Sequence, residues 1–102
     1  MSEIGPARQA LGERVLNGNG RASHVQRRGA FANAGLSEPL ATLVDKVARH
    51  ASQVANEDFT AALESGLTED QVFEIVVCAA IGQATREYDA ALAALDVAAG
   101  RE

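Results

Sequence analysis

Apolar residues recur along most of this chain at spacings of three and four, and no stretch alternates with period two for long. That pattern predicts an all-α chain without strands. In the clearest segment Leu40, Leu43, Val44, Val47 and Ala51 fall on one side of a helix, while Asp45, Lys46 and Arg49 fill the other. Ser37 stands where an N-cap belongs, with Glu38 and Pro39 in the first turn. A second segment, 72–81, is apolar nearly all round. Such a helix is covered on more than one side, and in a chain of 102 residues the expected cover is a second subunit.

Glycine-containing turns divide the pattern. Residues 1–5 read as frayed, and 7–16 as a short helix behind Pro6. Asn17-Gly18-Asn19-Gly20 is a turn. A second short helix spans about 22–33 and closes on Gly35 in a left-handed cap. After the helix beginning at Ser37, the pattern changes around 54–56. Asn56 is then the expected cap of a helix over 57–65, with Glu57 and Asp58 beside its positive end and Gly66 as its stop. Thr68-Glu69-Asp70-Gln71 is a capping box, and helical character continues to about residue 99, with a kink or break expected near Gly82. The total is five to six helices. Residues 34–38 and 65–69 share one helix–Gly–Leu–cap–Glu pattern, read as a reused joint rather than a true repeat.

Composition sharpens the picture. The apolar fraction is 47%, but only 4% is aromatic and Trp is absent, so Ala supplies much of the count. Ala favours helix but buries little area. A core built this way gains from burial at a subunit interface. The formal charge of -5 argues against a nucleic-acid binder. The local basic cluster of Arg21, His24, Arg27 and Arg28 reads first as a solvated helix face, with an anion or acidic-partner site as the rarer alternative. Cys78 is the sole cysteine, which excludes an intrachain disulfide and a Cys-x-x-Cys couple. The apolar run 75–81 is far below the ~20 residues of a membrane span. Residues 1–10 hold no apolar block behind a basic start, and the expected location is cytoplasmic.

Three features carry a family resemblance: the helix over 40–51 leading into a short helix, the joint Ala61-Ala62-Leu63-Glu64-Ser65-Gly66-Leu67-Thr68-Glu69-Asp70-Gln71, and the apolar helix 72–81 followed by Gly82-Gln83-Ala84 and a tail over 88–95. In order and spacing they resemble the carboxymuconolactone decarboxylase-like, or AhpD-like, family. The resemblance divides the chain into a helical extension, 1–35, and a family domain, 36–99, within one compact unit. It implies a homo-oligomer, a trimer or hexamer. Redox members carry Cys-x-x-Cys and a His ahead of the Gly-Leu-Ser joint. Counted back from Gly66, those positions hold Ala51, Val54 and Asp58. Without two sulfurs there is no dithiol–disulfide exchange, so thiol peroxidase chemistry is not expected. The decarboxylase branch needs no cysteine pair, but no catalytic motif of that branch is matched here.

Individual residues supply candidate chemistry. Glu74 lies in the apolar run, where burial would raise its pKa and suit it to acid–base work; the plainer reading is a wet helix edge or an interface pair. Cys78, one turn on, reads as buried and inert. His50, near the end of its helix, is a candidate acid or base, or a cation at a helix C-terminus. Asp58 stands at the family histidine's place and can pair with His50 or Arg86, or serve the helix end alone. Arg86 has the fork to clamp an anion, and Tyr88 joins it as a candidate ligand-binding residue, although a surface ion-pair set and ordinary packing are the commoner roles. No zinc spacing, phosphate-cradling loop or nucleophile elbow is present, and neither a metal nor a cofactor is expected.

Two function classes remain. One is an oligomeric binding subunit or catalytically silent member of the family. The other is a cysteine-independent lyase, isomerase or decarboxylase acting on a small anionic molecule through His50, Asp58, Glu74 and Arg86. Convergence of these groups on one enclosed cavity would favour the enzyme; separate, solvent-facing placements would favour the subunit.

Overall fold

The computed structural model describes residues 22–100, and within that span the chain forms four α-helices and one 3-10 turn, with no strand among the described residues. Helix α1 is His24–Ala32, α2 is Leu40–Arg49, the 3-10 turn is Ala51–Gln53, α3 is Asn56–Glu64 and α4 is Glu69–Ala98. The helix expected over 7–16, and Arg21 of the basic cluster, lie outside the described residues.

Each helix start shows which local chemistry prevails. Ser23 caps α1: its hydroxyl accepts the Gln26 N–H at 3.0 Å, and the Gln26 side chain accepts the Ser23 N–H at 3.3 Å. The helix closes on Asn33 in the left-handed region, φ 53°, two residues before the expected Gly35. Asn tolerates that conformation, and its side-chain amide is anchored on the Asp45 carboxylate at 2.9 Å. Ser37 does not cap α2. The helix begins at Leu40, and the Glu38 carboxylate accepts both the Thr42 N–H (3.1 Å) and the Thr42 hydroxyl (2.7 Å). The longer acidic side chain reaches an orphan amide of the first turn that Ser37 does not. Likewise Asn56 is inside α3, not its cap. Ala55 precedes the helix, and Asp58 reaches back to accept the Ala55 N–H at 2.9 Å. Only the Thr68–Gln71 box forms as its sequence indicates, at 3.1 and 2.8 Å.

α4 runs unbroken for 30 residues, ~45 Å at helical rise, and sets the 51 Å long axis of the molecule. Of the kink or break expected near Gly82, the break does not occur: the helix continues through it. The glycine is required by a neighbour instead: the last turn of α1 crosses α4 there, and a methyl group at Gly82 would overlap the Phe31 carbonyl. α1 and α2 both pack on the first half of α4, and α3 closes the end beside them. The core is Ala30 from α1; Leu40, Leu43 and Val44 from α2; Ala62 from α3; and Val72, Ile75, Cys78 and Ala79 from α4. No helix among the described residues is long and apolar enough to cross a membrane.

Candidate functional site

The candidate residues fall into two groups on different parts of this frame. Asp58 pairs with Lys46, and His50 lines a cavity that Lys46 also lines. The Lys46 ammonium lies 3.0 and 3.1 Å from the two Asp58 carboxylate oxygens, tying α2 to α3. The pair is half-sheltered, with side-chain exposures of 30% for Lys46 and 12% for Asp58. Asp58 is thus held from both sides. The Ala55 N–H first, and Lys46 second, stabilise its ionised form and lower its pKa, against a smaller opposing effect of burial. His50, at the C-terminal end of α2, lines an open cavity of about 320 Å³ with Glu38, Asp45, Lys46 and Gln53. Its ring is exposed, and carboxylates outnumber cations around it.

Glu74 and Arg86 belong to α4 and both fasten α1. The Glu74 carboxylate accepts the Ala22 N–H at 2.8 Å, just ahead of α1. Arg86 donates to the Phe31 carbonyl at 2.6 Å and to the Gln83 side-chain oxygen at 2.8 Å. Phe31 lies in the last turn of α1, where carbonyls have no partner within the helix, so Arg86 completes that helix end. Two anchors twelve residues apart on α4 meet the two ends of α1, so the helices run in the same direction. Tyr88 is half-buried on α4, two residues past Arg86.

The basic cluster is not one solvated face. His24 and Arg28 are exposed, but Arg27 is only 4% exposed. It lies close enough to Cys78 to pull the thiol pKa down, while Glu74 pushes it up. Burial outweighs both and raises the thiol to about 11. A thiol in that state is neither a nucleophile nor a metal ligand near neutral pH. The sequence reading missed Arg27 as a buried residue. The available signal was its place one turn from Ala30 on α1, set against a lone acid, Glu74, inside the most apolar segment. Two opposite charges, each on an apolar helix side, mark a buried electrostatic neighbourhood.

Thus Asp58 pairs with Lys46, His50 lines an open cavity beside Lys46, and Glu74 and Arg86 lie at the α1–α4 contact. Among the described residues, no group of three or more His, Cys, Asp or Glu side chains is arranged to hold a metal ion.

The exposed apolar surface is a further feature. Phe73 is 68% exposed on a helix whose next turn supplies the core. With Phe59, Leu63, Val72 and Val76 it lines a groove of about 370 Å³, and Glu69 stands at its rim. A second cleft of about 370 Å³ lies between α1 and the two interhelix joints, lined by Val25, Leu36, Pro39, Leu40 and Leu67 among others. Comparison of the chain with protein families, curated proteins and solved structures yields no match.

Proposed function

We propose that this chain is a non-catalytic, self-associating helical subunit whose apolar groove around Phe73 is an assembly surface. The observation that carries the reading is Phe73 itself: a large aromatic ring, 68% exposed, flanked by further apolar side chains. Contiguous exposed apolar surface of this kind marks interaction sites. The reading accords with the resemblance to the AhpD-like family, whose members assemble, and with the absence of its sulfur couple. Sedimentation analysis across a wide concentration range tests it. The wild-type chain is expected to exceed monomer mass and Phe73→Ser to shift toward monomer with its helical content intact. A wild-type monomer at every concentration overturns it.

A second reading, an acid–base enzyme for a small anionic molecule, draws on Lys46 and His50 sharing one cavity. It is weaker because Asp58 already engages Lys46, and Glu38 and Asp45 add negative charge to the same walls. Glu74 and Arg86 serve the α1–α4 contact rather than that cavity.

A further inference from the structure

We infer that residues 7–16 of the chain form a helix that docks on an apolar stripe of α4, antiparallel to it and within the same molecule. The stripe shares no residue with the groove around Phe73, and the inference does not depend on self-association.

α1 follows a single row of α4. Its neighbours there step from Glu74 through Cys78 and Gly82 to Arg86, four residues at a time. Beside that row Val77, Ile81, Tyr88, Leu92 and Leu95 recur at intervals of four, seven, four and three, so they share a second stripe. None of the five is buried, and Leu95 is 49% exposed. α4 also continues for about three turns past Arg86, which holds the end of α1. A helical segment of that length is marginal in water on its own and draws its stability from a packed apolar face.

The chain itself supplies the cover. Residues 1–21 join the described span at Ala22, whose N–H is held by Glu74, one turn before Val77 on α4. Asn17-Gly18-Asn19-Gly20 is a turn, and α1 runs in the same direction as α4. A helix over 7–16 therefore returns along α4 in the opposite direction, as the first arm of an αα-hairpin with α1. The lengths agree: a helix over 7–16 is ~15 Å long, and Val77 to Tyr88 is ~16 Å along α4. Ala7, Leu11 and Val15, four apart, give that helix one apolar side, and Arg8 and Arg14 stand three residues before and after Leu11, on its two flanks. Charge agrees as well. Residues 87–98 hold three acids, Glu87, Asp89 and Asp96, and no Lys or Arg, whereas residues 1–21 hold three Arg against two Glu. Opposite net charges favour this pairing.

Hydrogen exchange in the full chain, at a dilution where it is monomeric, tests the contact. The amides of 88–95 should be protected in the wild type, and Leu11→Asp should speed their exchange by about tenfold or more while the Ile75 amide keeps its rate. Gln9→Asp, on the opposite side of the docked helix, should leave both unchanged. A disulfide gives a second readout, because the Cys78 thiol, raised to about 11, stays out of thiol exchange near neutral pH. Leu11→Cys combined with Ile81→Cys should close a bond within one molecule on mild oxidation. Combined with Ala90→Cys, on the far side of α4, it should not. If Leu11→Asp also releases Ile75, the crosslink decides. Exchange at 88–95 that ignores Leu11→Asp while Ile75 holds overturns the inference. So does a crosslink between positions 11 and 81 that forms only between molecules, which would place the segment on a second copy, or one that does not form at all.

Discussion

Two sides of the first half of α4 carry nearly the same apolar content and meet different fates. On the inner side Val72, Ile75, Cys78, Ala79 and Gly82 are covered by α1, α2 and α3. On the outer side Phe73 is mostly exposed, although it is the bulkiest apolar residue in the segment. The inner side is rich in small residues, down to a glycine where a carbonyl must approach. Close approach of helix backbones needs a small residue, and Gly82 supplies it where α1 meets α4. Position around the helix, rather than hydrophobicity, separates the two sides: Ile75 is fully buried while Phe73 and Ala80 are exposed.

Truncation on each side is the strongest test of that division. Ile75 is fully buried, and Ile75→Ala should cost about 2–5 kcal/mol in urea unfolding, the range for core truncations. Phe73→Ala, measured at a dilution where the chain is monomeric, should change stability by no more than about 0.5 kcal/mol, as exposed sites do. Comparable losses at both positions would mean that Phe73 is covered within the single chain, and the distinction between the sides would collapse.

A smaller effect is expected where the two helices come closest. In an exposed helix Gly→Ala is favourable by up to about 1 kcal/mol. At Gly82 the added methyl meets the Phe31 carbonyl, which is backbone and also receives Arg86. Gly82→Ala should therefore lower thermal stability, with a net cost of about 1–3 kcal/mol from overpacking. A stabilised variant would show that α1 moves away at little cost and is only loosely held against α4.

The same contrast explains what could be read along the chain. The all-α architecture follows from the spacing of Leu40, Leu43, Val44 and Val47, and the start of α4 from the Thr68–Gln71 box, because both are set by neighbours in sequence. Gly82 was legible only as a weak point, since its cause is a carbonyl 51 positions earlier. Glu74 stood out as a charge among apolar residues, but its partner, the Ala22 N–H, is a backbone group that no side-chain pattern announces. In sequence Asp58 reads as a partner for His50 or Arg86, whereas the ion pair it makes is with Lys46, one more polar residue on the outer side of α2. Ser37 and Asn56 had suitable cap chemistry, yet Glu38 and Asp58 took over the two helix starts, because a reaching carboxylate competes with a local hydroxyl or amide.

Asp58 gives the mildest test, confined to acid solution. Its pKa in the folded chain lies below the ordinary 3.8, chiefly because the Ala55 N–H and then Lys46 favour the carboxylate. A group with a lowered folded pKa binds protons more readily when unfolded. Its stabilisation is therefore complete above 3.8 and is lost as the pH falls through the lower folded value. Asp58→Asn keeps the size of the side chain and removes the charge. The urea midpoint of the wild type should exceed that of the variant at neutral pH, and the gap should close only below about pH 4, within the acid range where native carboxylates take up protons. A gap that persists unchanged to the lowest pH would assign the effect of Asp58 to its shape and hydrogen bond at the start of α3, with no contribution from its charge beside Lys46.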